Sequence, residues 1–192
     1  KKDLSFVKES NIGGEFMSDD KKQRINEISN YKWKPNGKMQ NFLSENEVYN
    51  LTIPRGTLTP EERQVINDHI VVTINMLDEL PYPKHLKNIP EFAGGHHEKL
   101  DGTGYPKGLT KHEMSIQARI MAIADIFEAL TARDRPYKKG KTLSQAMRIL
   151  GFMKDDAHID VDLFDIFVKK KIYMKYAKSF LEPEQIDEVT FK

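Results

Sequence analysis

His96-His97-Glu98-Lys99-Leu100-Asp101-Gly102-Thr103-Gly104-Tyr105-Pro106 sets two adjacent imidazoles beside a carboxylate and then runs into a glycine-rich turn. Such a stretch makes a poor core and a good mount for a metal site beside an anion-binding loop. Neighbouring side chains on a helix point about 100° apart. His96 and His97 can therefore serve one ion, or two adjacent ones, where a helix ends at the site. Alone, two histidines near a loop are as often surface residues. Glu98, Asp101 and the turn after them move the reading to metal ligation. Gly102 and Gly104 would free backbone amides for an anion.

Outward from this stretch the pattern is helical. Upstream, Thr59-Pro60-Glu61-Glu62 combines a Thr cap, a Pro at the first helical position and a Glu at the third. The helix it opens is expected to run to about Leu80, where Pro81 and Pro83 stop it. Ile66, Ile70, Ile74 and Leu77 recur at helical spacing as its buried face. Asn88 and Pro90 start a shorter helix that reaches the histidines. Residues 99–114 read as a loop. Downstream, Ser115 opens the most apolar segment, in which Ile116, Ile120, Ile123, Phe127 and Leu130 form one stripe. Ala118, Ala122 and Ala129 let neighbours approach closely. Helices are also expected over about 143–153 and 161–179, and, before the core, from Ser18 to about Tyr31 and after the Ser44-Glu45-Asn46-Glu47 capping box. No strand pair stands out, and no repeat.

His69 lies near the apolar side of its helix. A lone histidine there is usually a satisfied boundary residue, and a functional reading needs company. Asp125 sits within Met121-Ala122-Ile123-Ala124-Asp125-Ile126-Phe127. An ionised carboxylate is costly to bury there unless paired or metal-bound, so a ligand role is favoured over a narrow polar face. Asp134-Arg135-Pro136-Tyr137-Lys138-Lys139 follows that helix. Guanidinium and ammonium groups beside a metal suit a phosphodiester. His85, His112 and His158 read as surface or boundary residues, Tyr31 and Trp33 as packing, and Lys169-Lys170-Lys171 as a solvated face.

Composition sets the outer limits. The chain has 192 residues, 39% hydrophobic and 31% charged, with a net charge of +1. That balance gives no support for a DNA-binding surface. The absence of cysteine excludes disulfides, thiolate metal sites and cysteine nucleophiles. Any metal must be held by His, Asp, Glu and water. No apolar run is long enough to span a bilayer, and the first residues do not read as a signal peptide. A soluble, cytoplasmic chain, or the cytosolic part of a larger sensor protein, is the expectation.

His96–Pro106 resembles the HHExxDGxGYP signature of HD-GYP domains, a bacterial signal-transduction branch of the HD metal-dependent phosphohydrolase superfamily. Leu58-Thr59-Pro60-Glu61-Glu62 through His69 looks like the family's preceding helix. Ala118 to Thr131, followed by Asp134-Arg135-Pro136-Tyr137, looks like its next two hallmarks. The match covers roughly residues 50–190. It implies an all-α helical bundle around two or three divalent ions, iron or manganese, and hydrolysis of cyclic di-GMP to pGpG or GMP. On this mapping His69, His96 and His97 face one ion and Asp125 ligates a neighbouring one, with His97 and Asp125 central to catalysis. Arg135 and Lys138 would hold substrate phosphates. Gly104, Tyr105 and Pro106 would shape the mouth of the site and meet protein partners such as a diguanylate cyclase (GGDEF) domain. Glu98, Asp101 and Gly102 would build the loop.

The resemblance also brings a departure. The family carries a His-Asp pair upstream of the helix holding His69, and no histidine precedes His69 here. The chain is thus expected to be the C-terminal part of an HD-GYP domain with its N-terminal helices missing. Residues 1–57 would form a helical insert or linker and 58–192 the core part. A sensory domain is expected upstream in the parent protein. The flank left open would be apolar and suited to a homodimer. Two competing readings are a catalytically dead module that binds cyclic di-GMP or a diguanylate cyclase, and an HD phosphohydrolase of another nucleotide.

Overall fold

The computed structural model describes residues 2–12, 16–132 and 140–190, and they are mainly helical. They form two compact units, 1–66 and 67–192. In the first, α1 (Lys2–Ile12), α2 (Asp19–Ser29), α3 (Glu45–Leu51) and most of α4 (Pro60–Asn67) are joined by a small hairpin. Its strands, β1 (Lys32–Trp33) and β2 (Gln40–Asn41), pair antiparallel around a turn in which Asn36 and Gly37 take positive φ. Ile25, Ile28, Leu43 and Leu51 are its buried core. The Ser44 hydroxyl and the Glu47 carboxylate cap α3 reciprocally. Thr59 and Glu62 do the same for α4. Neither α1 nor the hairpin was expected. Trp33 meets Phe42 edge-on, both partly exposed, so the packing is at the surface.

The second unit holds α5 (His69–Asp78), α6 (Ile89–Gly94), α7 (Ile116–Thr131), α8 (Leu143–Asp155), α9 (Val161–Lys169) and α10 (Ile172–Phe180). Its main core joins Ile123 and Phe127 of α7 to Leu143, Met147 and Leu150 of α8, Phe164 of α9 and Tyr173 of α10. The α6 helix meets both α5 and α7 closely. A Cβ on Gly94 would stand 2.8 Å from the Ile74 side chain, and one on Gly95 2.8 Å from the Ala118 Cβ. Close approach through small residues is how the histidine-bearing turn after α6 is brought to α5 and α7.

The helices depart from the sequence expectation in three places. The helix expected from Thr59 to Leu80 is two helices that meet at Asp68. Asn67 and Asp68 are weak helix formers, and the Asp68 carbonyl accepts both Val71 N–H (3.0 Å) and Val72 N–H (3.2 Å), a tightened turn. The helix expected over 161–179 breaks at Lys171, which takes a left-handed conformation (φ 50°, ψ 40°). Phe164 and Tyr173 are nine residues apart, and at about 100° per residue a straight helix would face them in opposite directions. The break lets both enter one core. Finally, the stripe on α7 divides. Ile123 and Phe127 are buried, but Ile116 (56%) and Ile120 (49%) are exposed, as is Ile66 (51%) on α4. Ala118, Ala122 and Thr131 take the buried places instead. Met121 on α7 and Val71, Val72 and Met76 on α5 are also exposed.

Asp160 ties the loop after the histidines to the helices. It is 1% exposed and caps α9 through the amides of Asp162 (2.9 Å) and Leu163 (3.4 Å). It also meets Arg119 of α7 (2.5 Å) and Lys111 of the loop (3.3 Å). Burial alone would raise its pKa, but Arg119, Lys111 and the α9 amides together hold it below the usual carboxylate value.

Candidate metal centre

His69 opens α5, and His96 and His97 sit in the turn that ends α6. Each offers a ligand atom within 4.8 Å of the others. His69 Nε2 and His97 Nε2 are 3.3 Å apart. Two imidazole nitrogens bound at ~2.1 Å to one ion, at tetrahedral or octahedral angles, stand about 3.0–3.4 Å apart. The spacing therefore fits a shared divalent ion. The His96 Nδ1–H donates to the Ala93 carbonyl (2.6 Å), which orients the ring and leaves Nε2 as the nitrogen available to an ion.

Asp125 stands apart from the three histidines. It lies on the exposed face of α7, not in the buried setting that its apolar neighbours suggest. Its charge nevertheless reaches both His97 and Tyr105. Burial, then the neighbouring His96, pushes the His97 pKa down from 6.5 to about 4, against the opposing pull of Asp125 and with a further lowering from His69. His97 thus keeps a free lone pair through the neutral range, as a ligand must. Arg135 and Lys138, with the rest of 133–139, lie outside the described residues.

The depressed His97 pKa carries a stability consequence. Between pH 6.5 and about 4 the unfolded chain binds more protons at this site than the folded one. The contribution is complete above pH 6.5 and is lost as pH falls through about 4. In metal-free buffer, His97→Gln should flatten this part of the melting-temperature profile relative to wild type. An unchanged profile would contradict the assignment.

The loop that follows is built on Glu98. Its carboxylate is 1% exposed and accepts the N–H groups of Lys107 (2.7 Å) and Leu109 (2.9 Å). Asp101 accepts both the N–H (2.9 Å) and the hydroxyl (2.8 Å) of Thr103, which hold its pKa low. Gly102 takes φ +80°, a region glycine enters at no steric cost. Its N–H donates to the Lys99 carbonyl (3.0 Å), so it is not free for an anion as the sequence suggested. Leu100 N–H donates to the Ala157 carbonyl (3.1 Å), anchoring the loop to the α8–α9 connection. Tyr105 and Pro106 are half-buried.

Gly104 lies against backbone. A Cβ there would stand 2.3 Å from Lys99 N and 2.5 Å from the Glu98 Cα. Nothing flexible can yield, so Gly104→Ala must displace the loop. A loss of about 1–3 kcal/mol is expected, read by urea denaturation. A neutral substitution would mean that the loop does not pack this way.

The C-terminal end of α7 is joined to Lys141 through a side chain. Gln185, 6% exposed, donates from Nε2 to the carbonyls of Thr131 (2.9 Å) and Lys141 (3.0 Å). Neither this residue nor the Ala93 carbonyl was singled out from sequence, since both act through backbone groups brought together only by the fold.

Comparison with known proteins places the chain in a family. The family whose sequence profile matches residues 45–163 is described as HD domain. Among curated relatives, a 3'3'-cGAMP-specific phosphodiesterase of Vibrio cholerae is 38% identical over 107 residues, 56% of this chain and 22% of its own length. A cyclic di-GMP phosphodiesterase of Thermotoga maritima is 42% identical over 93 residues, 48% of this chain and 25% of its own. One from Pseudomonas aeruginosa is 45% identical over 74 residues, 38% and 17% respectively. The chain thus spans about a quarter or less of each of these relatives. Among the described residues no helix is long and apolar enough to cross a membrane.

Proposed function

The chain belongs to the HD domain family, in its HD-GYP branch, and we propose on that footing that it forms part of a metal-dependent phosphodiesterase acting on a cyclic dinucleotide, cyclic di-GMP first. The observation that carries the proposal is the set of three imidazoles with ligand atoms within 4.8 Å, mounted beside the Gly104-Tyr105-Pro106 loop. His69, His96 and His97 would hold one divalent ion and Asp125 would face a neighbouring one. Iron or manganese suits this donor set of nitrogen and oxygen without thiolate. A bound ion would supply Lewis acidity toward a phosphoryl oxygen and acidify water near neutral pH. The protein's own part is to keep His97 unprotonated, to orient His96 through the Ala93 carbonyl, and to hold the loop through Glu98. Arg135 and Lys138 are the proposed phosphate contacts.

Calorimetric titration of the 192-residue chain with cyclic di-GMP, with and without manganese, tests the proposal. Metal-dependent binding that disappears in the His96→Ala/His97→Ala variant is expected. Binding indifferent to metal would favour a dinucleotide-binding module without hydrolytic chemistry, and absence of binding would overturn the substrate assignment. Three imidazoles and one exposed carboxylate hold one ion more readily than a bridged pair. Hydrolysis by this chain alone is therefore expected at or near the level of His97→Ala, and turnover clearly above that control would contradict this.

A further inference from the structure

The His97 ring differs from its neighbour in how it is held. His96 has the Ala93 carbonyl on its Nδ1. Among the described residues the one hydrogen-bond contact of the His97 ring is the His69 nitrogen, the very atom with which it would share an ion. Among the described residues no carbonyl or carboxylate is hydrogen-bonded to its other nitrogen. Two rings lie against it: His96 at 4.2 Å between centroids, tilted by 44°, and Tyr105 at 4.8 Å, the one that stacks nearly parallel, at 18° between planes. The Tyr105 N–H also donates to the His97 carbonyl (3.3 Å). Gly104 lets the backbone come in this closely, and Glu98 fixes the chain two and four residues further on.

We propose that Tyr105 is a positioning residue for His97, and that its ring rather than its hydroxyl fixes the imidazole in the ligating orientation. The inference rests on the reading of the three histidines as metal ligands. A ligating imidazole needs its rotation set by something behind it, and in most sites a hydrogen bond does this. Here a flat aromatic face takes that place.

Cobalt(II) titration of the chain, followed by its visible absorption, tests this without any turnover. Tyr105→Phe keeps the ring and is expected to bind within about twofold of wild type with the same spectrum. Tyr105→Leu removes the ring and is expected to weaken binding about 10–100-fold, the usual cost of losing a group behind a ligand, with an altered band. Equal weakening by Phe and Leu would assign the role to the hydroxyl and overturn the inference. Wild-type affinity in Tyr105→Leu would also overturn it. Because Phe removes a single oxygen, its result decides even if the Leu chain folds poorly. A wild-type chain that takes up no cobalt would overturn the metal reading itself, and the inference with it.

Discussion

Glu98→Ala is expected to lower the unfolding free energy by about 3 kcal/mol and to weaken metal binding by the three histidines. Glu98 is a 1%-exposed carboxylate whose two oxygens take the N–H groups of Lys107 and Leu109. Hydrogen bonds to a charged group are worth about 1.5–3 kcal/mol each. Part of that is recovered where water reaches the exposed Lys107, so the lower half of the summed range is the better figure. Glu98→Gln separates charge from connectivity. Its one carbonyl oxygen can serve one N–H while its amide opposes the other, so about half the loss should remain. The effect on metal follows from the loop: Tyr105 reaches His97 only while the chain returns through residues 107–109. Urea melts and cobalt titrations of both variants check the two effects together. A Gln variant as unstable as Ala would mean that charge, not the paired amides, is what the loop depends on.

Asp160→Ala should cost as much or more, about 3–5 kcal/mol. The change removes the α9 cap and leaves the Arg119 guanidinium, only 16% exposed, without its buried partner. Lys111 loses one of its two carboxylate partners and keeps Asp162 (3.6 Å), and at 39% exposure it adds little. Asp160→Asn keeps an oxygen for the cap and should lose less. The folded-state pKa is lowered, so the stabilisation is complete at neutral pH and disappears only as pH falls through and below 3.8. Denaturant midpoints at pH 7 that hardly move in Asp160→Ala would refute the account of this cluster.

Much of the fold was legible in local chemistry. The Ser44 and Thr59 capping boxes, the short helix before the histidines and the all-helical class all stand where side-chain pattern placed them. Two breaks were not foreseen, for different reasons. At Lys171 a clue was present: Phe164 and Tyr173 are both large and apolar, and their nine-residue spacing puts them on opposite faces of one helix. At Asp68 the clue was weak, since a single Asp is tolerated in most helices. The α7 stripe failed because periodicity reports which residues are apolar, not which face is covered. Ile116 and Ile120 were as apolar as Ile123, and Ala118 won the buried place because Gly95 approaches there.

The site followed the same division. Adjacent histidines and the glycine-tyrosine-proline turn singled out His96 and His97, and His69 joined them only through the family resemblance. That Glu98 clamps the loop, that Tyr105 lies flat on His97, and that Gly102 donates its amide to Lys99 are facts of chain return. No spacing encodes them. Asp125 was picked for a burial that α7 does not give it, and its link to the site is the charge it exerts on His97 and Tyr105.

His69, His96 and His97 are proposed to hold one divalent ion. Elemental analysis of the anaerobically purified 192-residue chain and of its His96→Ala/His97→Ala variant tests it most directly. Near-stoichiometric iron or manganese in the first, lost in the second, is the predicted result. Equal metal content in the two, or none in the wild type even after reconstitution with iron and manganese, would contradict it.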